Sequence, residues 1–154
     1  MRHLLLLPLI LLALFMASSA LADQRTDPRE QAMSDTLDLW REGHFEQLYD
    51  QLSHRTGMTR ENFVSQMRDL GSTRPACCHQ KLQDFRVITE KKTTAKVYAK
   101  IAMEGTAVIS DTRSREYTID HEEGLWKMRL GDIKSLAGLS KKKSRSKHTR
   151  KYYH

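Results

Sequence analysis

Val97-Tyr98-Ala99-Lys100-Ile101-Ala102-Met103-Glu104 alternates by twos, with Val97, Ala99, Ile101 and Met103 on one side and Tyr98, Lys100, Ala102 and Glu104 on the other. Successive side chains of a strand point to opposite faces, so this stretch predicts a β-strand with one face against a core. Phe85-Arg86-Val87-Ile88-Thr89 reads as the strand before it, joined through the polar turn Lys91-Lys92-Thr93. Beyond it, Gly105 marks a bulge or bend ahead of Val108-Ile109, and residues 110–114 read as loop. Tyr117, Ile119 and His121 then share one face of a further strand. Glu122-Glu123-Gly124 is a tight turn, and Trp126, Met128 and Leu130 mark the last strand.

Upstream the period changes. Asp27-Pro28-Arg29-Glu30 is a helix start, with Asp27 as cap, Pro28 at the first helical position and Glu30 near the positive end of the dipole. Met33, Leu37 and Trp40 recur at helical spacing, and Phe45, Leu48, Tyr49 and Leu52 resume it after a break at Gly43-His44. A further helix over residues 59–70 is capped by Thr59, carries Phe63, Val64, Met67 and Leu70, and stops at Gly71. Helices first and a sequential antiparallel sheet second define an α+β architecture.

The run from Trp40-Arg41-Glu42-Gly43-His44-Phe45 to Leu48-Tyr49 and Leu52-Ser53, the segment Met58-Thr59-Arg60-Glu61-Asn62-Phe63 and the closing Glu123-Gly124-Leu125-Trp126-Lys127-Met128 resemble the nuclear transport factor 2-like superfamily over about residues 30–133. That resemblance implies N-terminal helices packed on the concave side of a curved sheet, forming a cone that often holds a pocket. It spans isomerases, polyketide cyclases, hydrolases and many non-catalytic exported or interaction domains, so fold alone selects no activity. It also implies that a pocket, where present, is lined from the helices and the sheet: here Trp40, Tyr49, Val97, Ile101, Tyr117, His121 and Trp126.

Enzymes of that kind place carboxylates or a His–Asp pair inside the cone. Strand parity puts Glu104, Asp120 and Glu122 on the faces opposite the apolar ones, so a general base with a raised pKa has no obvious carboxylate candidate. The inward polar groups are His121 and Tyr117, with Tyr49 from the helix. They are the candidate catalytic residues of a small acid–base enzyme of the isomerase or cyclase type, the alternative to a non-catalytic binding domain. No nucleophile elbow, phosphate-binding glycine loop or zinc-ligand spacing is present, and no cofactor or metal is implied.

Cys77-Cys78-His79 stands between the helices and the sheet. Thiols in an oxidising compartment tend to pair, yet adjacent cysteines close only a strained ring within one chain, so pairing between chains stays open beside it. A redox-responsive pair is a further reading. Copper(I) or zinc suits thiolates and imidazole, but two adjacent thiolates do not readily reach one tetrahedral ion.

The two ends differ from the body. Arg2 and His3, an apolar run over residues 4–16 and the small residues up to Ala20-Leu21-Ala22 read as a signal peptide over residues 1–22, cleaved after Ala22. That implies a periplasmic or secreted protein without a transmembrane segment after cleavage. Residues 141–154 contain Lys141, Lys142, Lys143, Arg145, Lys147, Arg150 and Lys151 and no acid. The chain of 154 residues carries a formal charge of +7, but residues 23–140 hold 18 basic and 19 acidic residues, so that single domain is nearly neutral. The excess charge sits in a tail read as disordered alone and able to contact anionic envelope surfaces. Nucleic acid is the disfavoured partner, since an exported chain rarely meets it. A small apolar ligand, a protein partner and a homodimer remain open.

Overall fold

The computed structural model describes residues 26–105 and 111–139, so the expected signal peptide, the basic tail and the Val108-Ile109 segment lie outside the described residues. Helix α1 (Pro28–Arg41) starts as its sequence predicts: Asp27 Oδ1 accepts the Arg29 backbone N–H at 2.8 Å and Pro28 opens the first turn. It ends where Gly43 adopts φ +78°, a left-handed conformation that glycine takes without penalty. The chain resumes as α2 (Phe45–Gln51), and α3 (Arg60–Asp69) follows with Thr59 accepting the Asn62 N–H at 3.3 Å.

A two-residue strand β1 (Arg74–Pro75) and a single 3-10 turn (Cys78–Gln80) lead into β2 (Leu82–Glu90), β3 (Thr94–Glu104), β4 (Asp111–Glu122) and β5 (Leu125–Met128). All pairings between these strands are antiparallel. β3 lies at the centre, with β1 and β2 on one side and β4 then β5 on the other. β2 pairs with β3 through irregularities between Gln83 and Arg86 and between Val87 and Thr89, and Asp84 is left-handed at φ +53°. The β4–β5 turn has both Glu123 (φ +55°) and Gly124 (φ +81°) left-handed, the pattern of a two-residue hairpin turn whose twist matches the strands. Gly105 (φ +83°) is required by a close approach, because a Cβ there would lie 2.0 Å from the Ser72 carbonyl oxygen.

The sheet curls into a half-barrel, and the fold is α+β and cone-like, as the sequence predicts. Its inward residues Ala95, Val97, Ala99, Ile101 and Met103 pack in one cluster with Met33, Leu37 and Trp40 of α1, Leu48 and Leu52 at α2, and Phe63, Val64 and Met67 of α3. Burying each large side chain contributes roughly 1.5–3 kcal/mol, which is why apolar periodicity located this face.

Two features differ from the sequence reading. Residues 111–114, expected as loop, belong to β4 and pair with residues 100–103 of β3. Leu130, expected to end the last strand, instead opens a fourth helix, α4 (Leu130–Leu136), whose Leu130, Ile133 and Leu136 enter the core. One cause serves both. The inward positions 113 and 115 hold arginines rather than apolar residues, and they meet α4: Arg113 Nη1 donates to the Ser135 and Leu136 carbonyls at 3.1 and 2.7 Å. Arg115 Nη1 donates to Ser135 Oγ at 2.7 Å, and its Nη2 to the Asp132 carbonyl at 3.0 Å. Cations at the carboxyl end of a helix satisfy its last carbonyls.

Candidate functional site

The residues expected to line a pocket separate into two environments. Trp40, Val97, Ile101 and Tyr117 belong to the buried cluster, the last three at 1% exposure or less. Tyr49 and Trp126 pack against it from the rim. The Tyr49 ring packs tilted against that of Phe63, with centroids 5.5 Å apart, and its hydroxyl donates to the Met58 carbonyl at 2.6 Å. His121 is half-buried, its ring 4.8 Å from that of Trp126. Among the described residues, His121 makes no hydrogen bond or ring contact with Tyr117 or Tyr49, so the three candidate acid–base groups do not form one constellation.

Tyr117 lies beneath Arg115, whose guanidinium sits 4.7 Å from the ring centroid. The Tyr117 hydroxyl and Arg115 Nε are both buried without a hydrogen-bond partner. Burial pushes the Tyr117 phenol up, against the pull of the neighbouring guanidinium. A phenol raised in this way stays protonated and is a poor base.

The densest polar arrangement was not singled out from the sequence. It gathers Ser53 and His54, just past α2, with Asp120 on β4 and Arg129 at the β5–α4 junction. Ser53 is pinned by its backbone: its N–H donates to the Met128 carbonyl at 2.9 Å and its carbonyl accepts the Leu130 N–H at 3.0 Å, an isolated parallel bridge to Arg129. The Asp120 side chain is only 5% exposed. It accepts Arg129 Nε and Nη2, both at 2.8 Å, in a bidentate pair, and Ser53 Oγ at 2.7 Å. His54 Nε2 stands 3.4 Å from the same carboxylate, on a residue held at φ +51°. Burial acts to raise the Asp120 carboxyl, but hydrogen bonds from Arg129 and Ser53 and the charges of Arg129 and His54 overcome it and hold the group below its ordinary range.

A cleft of about 390 Å³ opens beside this cluster, lined by His54, Glu116, Thr118, Arg129, Gly131 and Asp132. Burial raises the Asp132 carboxyl there, opposed by Arg115 and Arg129. The chemistry this set can perform is limited. The Ser53 hydroxyl donates its hydrogen bond to Asp120 and makes none to His54, so no histidine is aligned to activate it. Asp120 is saturated by the guanidinium fork and stays ionised. The cluster is a staple that fixes the end of α2 to the sheet. Strand parity placed Asp120 facing away from the core, which is correct for the strand. What buries it comes from a segment 67 residues earlier, and no local pattern announces that pairing.

Cys77 and Cys78 are bonded to each other, and both are exposed. The described residues contain no group of three or more His, Cys, Asp or Glu side chains placed to hold a metal ion, and no helix among them is long and apolar enough to cross a membrane.

No family model matches the chain, and no curated protein matches its sequence.

Proposed function

We propose that this chain is an exported, non-catalytic domain that acts by binding, and that a protein partner fits it better than a small apolar ligand. One observation carries the reading. The concave face, where a cone would hold a ligand, is occupied by the protein's own side chains, with Val97, Ala99, Ile101 and Tyr117 at 1% exposure or less. The separation of His121 from Tyr117 and Tyr49 and the saturation of Asp120 point the same way. The order of helices and curled sheet is consistent with the nuclear transport factor 2-like resemblance and supports it as part of this proposal.

The outer surface offers a contact in its place. Leu125, at the tip of the β4–β5 hairpin, is 65% exposed and borders a groove of about 320 Å³ with Trp126, Pro28 and Ala32. Single exposed leucines are common, but one set on a rigid turn beside an aromatic is a natural anchor for a partner's apolar side chain. Export through residues 1–22 and attraction of the Lys141–Lys151 charges to anionic envelope surfaces complete the reading, and both rest on the sequence.

Native mass spectrometry of the chain recovered from the envelope of an exporting host tests the proposal. The expected result is a chain beginning at Asp23 with no small molecule that dissociates on denaturation. A photo-reactive residue at position 125 is expected to cross-link to one distinct protein. A dissociable small ligand, or a turnover abolished by His121→Ala, overturns it.

A further inference from the structure

A disulfide stabilises a fold mainly by closing a loop in the unfolded chain, and the gain grows with the length of that loop. Cys77 and Cys78 are neighbours in sequence, so their bond closes only the small ring of the pair itself and no longer loop of chain. It is also not needed to hold the turn in place. The Ala76 N–H donates to the Ala102 carbonyl at 2.8 Å, and the Ala102 N–H donates to the Lys81 carbonyl at 3.2 Å. The short segment bearing both cysteines is thus pinned at its two ends to a single residue of β3. Lys81 is tied further to Asp38 of α1, and the Cys77 N–H donates to Glu104 Oε1 at 3.2 Å.

The pair is instead arranged for reaction. Bridged cysteines usually have Cα atoms about 4.4–6.8 Å apart, and compressed bridges are the more reducible ones. Adjacency fixes these at 3.7 Å. Cys78 sits at φ +59°, a backbone region disfavoured for a side chain. Both residues are exposed, and a cleft of about 150 Å³ lined by Thr26, Glu30, Ser34, His79 and Lys81 adjoins Cys78. That volume lies below the range of small-molecule pockets and suits a cysteinyl side chain.

We infer that Cys77–Cys78 is a thiol-exchange site whose substrate is an accessible cysteinyl thiolate, on a small thiol peptide or on a protein. The incoming sulfur attacks one Sγ and forms a mixed disulfide. The Cys77–Cys78 bond breaks, and its electron pair leaves on the other Sγ, which takes a proton from water. A second thiolate then attacks the substrate sulfur of the mixed disulfide, forming the substrate disulfide; the cysteine first attacked leaves with the electron pair and takes a proton from water. Two substrate thiols are oxidised and the protein is reduced by two electrons, while the pinned segment keeps its place on β3.

The full chain, purified oxidised, is equilibrated without oxygen in graded mixtures of reduced and oxidised glutathione, quenched with acid, alkylated and weighed intact. A parallel series uses a short peptide with one cysteine, so that a small thiol and a protein-like thiol are distinguished. Half-reduction is expected at a ratio of squared reduced to oxidised glutathione on the order of 100-fold lower than an unstrained structural disulfide requires. A transient single adduct should form, with unchanged near-ultraviolet circular dichroism. The Cys78→Ser variant should hold one thiol adduct on Cys77; if that variant does not fold, the wild-type titration decides alone. A pair that stays oxidised in excess reduced glutathione, a fold lost on reduction, or a non-reducing mass showing two chains bridged through these cysteines overturns the inference.

Discussion

Asp120→Asn tests the staple most directly, because it keeps the size of the side chain while removing its charge and one of its two acceptor oxygens. In the native protein the carboxylate accepts two hydrogen bonds from Arg129 and one from Ser53 at 5% exposure. An amide cannot accept both arms of the guanidinium, so one side of the fork meets an NH2 group. Breaking a fully buried ion pair from one side costs about 3–5 kcal/mol. Arg129 retains 35% exposure, so water recovers part of its solvation and the expectation falls to about 2–3 kcal/mol. For a domain of this size that is a fall of roughly 10 °C in Tm. The sign with pH follows from the lowered carboxyl: its contribution is fully present above the ordinary value of 3.8 and disappears as pH falls through the lower folded value. Urea unfolding of wild type, Asp120→Asn, Arg129→Gln and the double variant, at neutral pH and at several acid values, measures this. The two single variants should couple by more than about 1 kcal/mol, and wild type should converge on Asp120→Asn in acid. A difference below about 0.5 kcal/mol at pH 7, or one that persists unchanged in strong acid, would refute the reasoning.

Asp132→Asn should behave in the opposite way. Burial raises that carboxyl, so the native protein loses stability as pH climbs from the ordinary 3.8 through the raised value, and the variant escapes that loss. Its Tm should exceed wild type at pH 7 and match it in acid. Tyr117→Phe removes a buried hydroxyl that has no partner, so thermal melts should show no loss and a gain of up to about 1 kcal/mol; a loss larger than that would mean the hydroxyl is satisfied in solution. Gly105→Ala forces a Cβ against the Ser72 backbone at a left-handed φ, and denaturant titration should find at least about 2 kcal/mol lost.

What the sequence made legible followed from local rules. Asp27 and Thr59 announced helix starts because a capping side chain needs only its own next residues. Val97, Ala99, Ile101 and Met103 announced the central strand because a half-buried sheet writes its period directly into the chain. The first residues of β4 and the whole of α4 escaped for a related reason. Arg113 and Arg115 occupy inward positions by answering helix carbonyls, and a code that equates inward with apolar cannot see them. Leu130, Ile133 and Leu136 carry a helical stripe of only two turns, too short to outweigh the strand pattern running into it from Trp126 and Met128. Asp120 was placed on the correct side of its strand, yet its burial depends on Ser53 and Arg129 converging from two other elements. Adjacent cysteines were visible at once, but their pairing with each other was one of several readings that the sequence left open.

The broken rhythm of β2 bears on how the molecule behaves when crowded. Among the described residues its far side has no strand partner, and an open edge of nine residues is ordinarily a template on which another chain can lay itself. Here the interruptions after Gln83 and after Val87, with the left-handed Asp84 between them, leave no long in-register row of donors and acceptors. Arg86 bends over the Tyr98 ring at 4.0 Å, and Asp84 and Glu90 put charge on the same strand. The opposite border is occupied where Ser53 lies along Arg129. The β2 margin of the sheet therefore offers no long regular template for another chain, and the end of the β5 margin is already taken by Ser53.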